Sequence, residues 1–163
     1  MFNKKILIIL WGLLLLFITV SFSPINATEY EGYTINVNGF NFNMINGYEQ
    51  DYESIINEDS TNLYGDPIHS YTVSFNGEDG SVTISIMTRY SEPFTQEDAL
   101  DAGSNNQYMT STVENIGGKT GKLVEDRSLG HSEYSFWYVE DGVEIVIDSD
   151  SVDKIEYVIS NAN

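Results

Sequence analysis

The hydrophobic pattern between Tyr33 and Met44 alternates on both sides of a central Asn38-Gly39 pair. Both residues of this pair tolerate the positive φ of a type I′ turn, so the pattern predicts a β-hairpin. Folding the chain there pairs apolar residues on one face: Val37 with Phe40, Ile35 with Phe42, and Tyr33 with Met44. The other face receives Thr34, Asn36, Asn41 and Asn43. We therefore expect a half-buried hairpin whose asparagines form the solvent side.

Two further hairpins are predicted by the same alternation. Around one loop the apolar residues are Tyr71, Val73 and Phe75 before it and Val82, Ile84 and Ile86 after it. Around Asp141-Gly142 the predicted pairs are Tyr138 with Ile145 and Phe136 with Ile147. This last hairpin is also apolar on its reverse face, so we expect it near the centre of a sheet. A short extra strand is predicted at Lys122–Asp126, after the Gly117-Gly118 break.

Helical spacing occurs between the second and third of these hairpins. Thr95 and Asp98 form a capping-box pattern, and a 3–4 spacing follows at Ala99, Ala102, Asn106, Met109, Val113 and Ile116. We expect one longer helix here, kinked or broken at 103–106, where the residues are weak helix formers. A C-terminal helix is predicted with Asp150 or Ser151 as its cap and with Val152, Ile155 and Ile159 on one face. The stretch Asn46–Ile68 has little periodicity and many acids, and predicts a long loop with a helical turn at Tyr52–Ile56.

These elements predict an α+β fold, because the strands come in hairpins and the helices do not alternate with them. The expected architecture is a single antiparallel sheet of about six or seven strands. The longer helix and the C-terminal helix are expected to pack on one face of that sheet.

The order of elements resembles that of small exported α+β domains of the PsbP-like type. The stretch NGFNFNMINGYEQ, residues 38–50, is similar to an opening found in secreted archaeal and bacterial domains, although Asn46 replaces the proline of that pattern. The resemblance implies a fold. It implies no catalytic residue, because these domains are mostly of unknown function.

The first 27 residues predict export. Lys4 and Lys5 precede an apolar run, Ile6–Phe22, which is typical of a signal peptide or of an N-terminal membrane anchor. Its length is at the lower end of what a transmembrane helix needs, so both alternatives stay open. Either one places residues 28–163, a single exported domain, at the cell surface or in the medium.

Charge excludes several classes of partner. Residues 1–27 contain two lysines and no acids, so residues 28–163 carry 25 acidic and 5 basic side chains, a formal charge of −20. Nucleic acids and anionic membrane surfaces bind basic patches, so neither is expected as a partner through charge. The chain has no cysteine, which excludes disulfides, thiolate metal sites and cysteine nucleophiles.

Candidate chemistry is sparse. His69 and His131 have no recognisable catalytic context and are interpreted as ordinary surface residues. The weak metal candidates are the carboxylates of DSDSVD, namely Asp148, Asp150 and Asp153, which could bind calcium or simply favour a helix N-terminus. No cofactor is predicted.

The expected function is therefore a non-enzymatic binding or envelope-associated role outside the cytoplasm, with an unknown protein or carbohydrate as ligand. The alternatives are a secreted hydrolase with a dispersed site, or a calcium-dependent module that binds carbohydrate or peptide. A binding module should show an exposed apolar or aromatic patch, whereas an enzyme should show converging polar groups.

Overall fold

The computed structural model describes residues 30–62, 65–102 and 105–160. Within these ranges the chain forms nine strands and two short helices. In chain order they are β1 (Gly32–Val37), β2 (Phe40–Ile45), β3 (Glu49–Thr61), β4 (Pro67–Gly77), β5 (Gly80–Arg89), α1 (Gln96–Leu100), β6 (Met109–Ile116), β7 (Lys119–Asp126), β8 (Glu133–Glu140), β9 (Val143–Ser149) and α2 (Val152–Ile159). The described domain is mostly β.

Seven of the strands form one antiparallel sheet in the order β3-β4-β5-β9-β8-β7-β6. The sheet consists of two meanders, β3 to β5 and β6 to β9, which join where β5 pairs with β9. Strands β1 and β2 form a separate two-stranded sheet. The strand order makes β9 the central strand, and its residues Ile145 and Ile147 are fully buried.

The core lies between one face of the large sheet and a layer made of the β1–β2 hairpin and α2. Each of these three parts contributes residues that are at most 5 % exposed: Phe42 and Met44 from the hairpin, Val73, Ile84, Phe136 and Ile147 from the sheet, and Ile155, Val158 and Ile159 from α2. Burial of these side chains provides the main driving force for folding. The hairpin and α2 are therefore held to the sheet by one shared core.

The predicted register of the first hairpin is confirmed at all three apolar pairs. Its turn uses positive φ at Asn38 (46°) and Gly39 (94°), as a type I′ turn requires. The prediction that the asparagines of this hairpin face solvent is only partly confirmed. Asn36 donates to Asn41 at the surface, whereas Asn43 donates to the backbone oxygens of Tyr157 and Ser160. Asn43 thus satisfies carbonyl groups at the C-terminal end of α2, which otherwise lack partners within the helix.

The hairpin around Asp141-Gly142 also has the predicted register, with Tyr138 opposite Ile145 and Phe136 opposite Ile147. Its predicted central position is confirmed, since β9 is the middle strand of the sheet. The extra strand is confirmed and extends over Lys119–Asp126 as β7. The C-terminal helix is confirmed as α2, and the Ser151 hydroxyl accepts a hydrogen bond from the Asp153 backbone amide as its N-cap.

The α+β class and the longer helix are wrong. The capping box at Thr95 and Asp98 is present, but α1 ends at Leu100. The residues from Met109 to Ile116 form β6, in which Thr110, Thr112 and Val113 are β-branched and favour a strand. Gly117 and Gly118 then supply the positive φ for a turn that pairs Ile116 with Lys119. Gly103 and Ser104, in the expected kink, lie outside the described residues.

The long loop predicted at Asn46–Ile68 is also wrong, because most of it is β3. Strand β3 is an edge of the sheet and has little burial, so it lacks the apolar alternation that marks a half-buried strand. Its acids keep an exposed edge from pairing with other chains. The register with β4 shifts between Asp51 and Ile56, where the helical turn was expected and where a bulge leaves residues unpaired.

The transmembrane prediction is not supported by the described part of the chain, where neither α1 nor α2 is long and apolar enough to cross a bilayer. The two helices have five and eight residues, far fewer than the ~20 that a spanning helix needs. Ile6–Phe22, to which the prediction referred, and the boundary at residue 27 lie outside the described residues.

Candidate ligand-binding cavity

The three carboxylates proposed for calcium take part in separate interactions. Asp148 accepts a hydrogen bond from Ser135 Oγ at 2.5 Å, and burial raises the pKa of its carboxyl above the usual range. Asp150 forms an ion pair with Lys154 Nζ at 2.9 Å, and Asp153 is exposed in the first turn of α2. Among the residues that the structure describes, no three or more side chains of His, Asp or Glu are grouped so as to hold a metal ion.

Both histidines lie at the surface beside a carboxylate. His69 Nδ1 lies 2.8 Å from Asp59 Oδ1, and the Tyr90 hydroxyl donates to the same oxygen. His131 Nε2 lies 2.8 Å from Glu133 Oε1. The two histidines belong to different strand ends and do not share a site.

A cavity of about 310 Å³ lies where the β1–β2 turn, the β8–β9 turn and the C-terminal end of α2 meet. Its volume is at the lower end of the range for small-molecule sites. It is lined by Gly39, Phe40, Asn41, Phe42, Lys119, Tyr138, Glu140, Asp141 and Ile159. Residues from the hairpin, the large sheet and the helix thus converge on one concave site.

Two tight turns position the walls of this cavity. The Asn38-Gly39 turn brings Phe40 and Phe42 to one side, with Phe42 buried and Phe40 half-buried. The Asp141-Gly142 turn, with φ values of 52° and 77°, places Asp141 in the lining of the cavity. Both turns are dipeptides whose residues adopt positive φ at low cost, so local sequence fixes the shape of the walls.

The rim of the cavity carries an ion pair. Lys119 Nζ lies 2.7 Å from Glu140 Oε1, and each side chain is 35 % exposed. Lys119 is the first residue of β7 and Glu140 is the last residue of β8, so the pair spans two neighbouring strands at the same end of the sheet. A half-exposed ion pair keeps free hydrogen-bonding capacity on both groups.

The floor of the cavity contains a buried phenol. Tyr138 is 2 % exposed, and its ring stacks on Phe136 with 5.7 Å between ring centroids. Burial raises the pKa of its hydroxyl above the ordinary value, and the negative charge of Glu140 raises it further. Within the described ranges no side chain or backbone group bonds to this hydroxyl, and its oxygen is not among the buried polar atoms that lack a partner. The oxygen is therefore accessible, and it can both donate and accept a hydrogen bond.

This arrangement suits the binding of a small amphipathic molecule. Phe40, Phe42 and Ile159 offer apolar surface, while the ion pair and the phenol offer donors and acceptors. Such a combination of apolar walls and a few convergent polar groups is typical of ligand sites.

The sequence revealed the parts of this site but not their convergence. Both hairpins that form the walls were predicted with the right register, and Tyr138 and Phe42 were predicted on apolar faces. Neither Lys119 nor Glu140 carried a sequence signal of a functional role. Only the packing of the hairpin and α2 on the sheet brings these residues together.

Comparison of the chain with protein-family models, with curated proteins and with solved structures finds no match. The resemblance to PsbP-like domains therefore stays a prediction.

Proposed function

We propose that the chain is an exported, non-enzymatic binding domain and that the cavity at the hairpin tip is its ligand site. The observation that carries the proposal is the convergence of three structural parts on one cavity: apolar side chains from the hairpin and α2 meet the Lys119–Glu140 ion pair and Tyr138 from the large sheet. Sites that combine apolar walls with a few convergent polar groups are typical of small-molecule binding.

Export is supported by the N-terminal sequence and by composition. A basic start followed by an apolar run is typical of exported proteins, and the formal charge of −20 on residues 28–163 favours a role exposed to solvent. The same charge makes nucleic acid an unsuitable ligand.

Binding is favoured over hydrolysis by the carboxylates of the cavity. Glu140 and Asp141 are consecutive residues on one wall, and Glu140 is engaged by Lys119 in an ion pair. Hydrolysis of a glycosidic bond needs two carboxyl groups on opposite sides of the scissile bond, one of them protonated. The cavity does not supply that arrangement.

The proposal is tested by screening the full-length protein against a library of small polar and amphipathic compounds by thermal unfolding. A ligand at ten times its Kd should stabilise the native state by about 1.4 kcal/mol. We expect at least one compound whose effect is lost in Phe40→Ala and Glu140→Gln. The effect should survive in Tyr90→Leu and Glu114→Gln, which change an exposed aromatic residue and an exposed acid outside the cavity. A screen in which no stabilising compound depends on Phe40 or Glu140 would refute the proposal.

A further inference from the structure

We propose that the ligand of this cavity is a neutral sugar ring, held through two neighbouring hydroxyl groups. This inference rests on the proposed function and specifies its ligand. It follows from the chemistry of the Lys119–Glu140 pair, from the apolar surface beside it, and from the phenol of Tyr138.

The ion pair presents a donor and an acceptor side by side. Lys119 Nζ has three N–H donors, and the Glu140 carboxylate has several acceptor positions, so the contact at 2.7 Å uses only part of each. Neighbouring hydroxyls of a sugar ring can bind both groups at once, because one hydroxyl donates to Glu140 while the next accepts from Lys119. Both hydrogen bonds involve a charged group and are therefore stronger than neutral ones. The ion pair stays intact when such a ligand binds.

The apolar part of the cavity suits the other side of such a ring. Phe40 is half-buried and borders the cavity, while Phe42 and Ile159 are buried beneath it. The face of an aromatic ring carries partial negative charge, and the C–H groups of a sugar ring carry partial positive charge. A sugar can therefore pack its C–H face against Phe40 while its hydroxyls reach the ion pair.

Tyr138 supplies a third polar contact. Its hydroxyl both donates and accepts, as a sugar hydroxyl does, so either group can take either role. Because no described residue bonds to this hydroxyl and Tyr138 lines the cavity, a sugar hydroxyl can bond to it without displacing another group.

Other classes of small ligand fit less well. Phosphorylated or sulfated ligands are repelled by Glu140 and Asp141 at the cavity and by the strong negative charge of the domain. A wholly apolar ligand would desolvate the ion pair without replacing its contacts with water. A free amino acid would bring its own carboxylate close to Glu140 and Asp141, which repel it. A neutral polyhydroxyl ring requires none of these costs.

The test measures sugar binding by isothermal titration, using the full-length protein in a detergent without a sugar headgroup. The probes are methyl glycosides of neutral hexoses and N-acetylhexosamines, their singly deoxygenated analogues, and the corresponding uronic acids. We expect one or more neutral glycosides to bind and the uronic acids to bind at least tenfold more weakly. Removing either of the two neighbouring hydroxyls should weaken binding by about tenfold or more, the usual effect of losing a hydrogen bond to a charged group.

Variants locate the binding site. Glu140→Gln should weaken binding of the best glycoside about tenfold, and Glu114→Gln should leave it unchanged. Phe40→Ala should weaken it, and Tyr90→Leu should not. Oligosaccharides ending in the same sugar distinguish a glycan end from a free monosaccharide, since a glycan end should bind at least as tightly as the methyl glycoside.

The outcomes separate the two proposals. If no neutral sugar binds but another compound binds and depends on Phe40 and Glu140, the sugar inference is overturned and the proposed function stands. If nothing binds through these residues, both are overturned. Release of reducing sugar from an oligosaccharide by wild type but not by Glu140→Gln would also overturn the binding account, because the site would then be hydrolytic.

Discussion

Replacing Glu144 by Gln should remove a pH-dependent loss of stability. Glu144 is 7 % exposed on the central strand β9, within electrostatic range of Asp98 in α1. Burial raises the pKa of its carboxyl to about 7, Asp98 adds to the shift, and Arg89 opposes it. Arg89 is already engaged, since its Nη2 donates to Asp98 at 2.7 Å and its guanidinium lies 4.2 Å from the centre of the Phe94 ring.

The direction in which stability changes with pH follows from the direction of this pKa shift. A carboxyl whose pKa is raised in the folded state is protonated in both the folded and the unfolded chain below about pH 4.5. It therefore causes no loss of stability in that range. As the pH rises to 7, the unfolded chain ionises first and stability falls. Above pH 7 the loss is complete, and a change from about 4.5 to about 7 corresponds to about 3 kcal/mol.

Glu144→Gln mimics the protonated carboxyl, so it should match the stability of wild type at pH 4.5 and exceed it by up to about 3 kcal/mol at pH 8. For a chain of this size the difference corresponds to roughly 10 °C in melting temperature. Thermal or urea unfolding at several pH values measures it, with the exposed Glu114→Gln as control. Because other carboxylates titrate alike in both proteins, their contributions cancel in the difference. If the free energy of unfolding changes with pH in the same way for wild type and Glu144→Gln from pH 4.5 to 8, the reasoning is refuted.

Four further predictions concern glycines, salt and calcium. Gly121→Ala should destabilise the domain by about 3 kcal/mol, since its Cβ would lie 2.2 Å from the Trp137 carbonyl oxygen. Gly39→Ala should cost about 1 kcal/mol, because Gly39 has open space but a φ of 94°; urea unfolding of both variants compares the two costs, and equal values would contradict the steric argument. Sodium chloride at ~0.15 M should raise the melting temperature by screening the repulsion among acids. Calcium at matched ionic strength should add no saturable shift, and a shift that disappears in Asp148→Asn would show a calcium site.

Hairpins were the part of the fold that could be predicted, because their signals are local. The Asn38-Gly39 and Asp141-Gly142 turns fix the register of the strands beside them, and apolar alternation fixes the buried face. The centre of the sheet was also predictable, since a strand that is apolar on both faces needs cover on both sides.

Edge strands could not be predicted in the same way. Strands β3 and β6 form the two edges of the large sheet, so much of their surface meets solvent and their sequences carry little apolar alternation. In β6 the spacing of Met109, Val113 and Ile116 matches one face of a helix, while the β-branched residues between them favour a strand. The antiparallel pairing of β6 with β7 decides between the two in favour of the strand.

The cavity could not be predicted because it depends on tertiary packing. Tyr138 and Lys119 are distant in sequence from Phe40, and no local pattern indicates that their strands meet at the tip of the first hairpin. The seven-stranded sheet, the separate hairpin and α2 must all be placed before the site exists.

The most direct test of the account is a ligand titration followed by thermal unfolding, made on wild type and on Tyr138→Phe with the best neutral glycoside. Because no described residue bonds to the Tyr138 hydroxyl and its oxygen is not buried, Tyr138→Phe without ligand should be as stable as wild type. Its ligand-dependent stabilisation should require about tenfold more glycoside. A variant that is less stable than wild type without ligand, yet responds to the glycoside with unchanged affinity, would contradict the account.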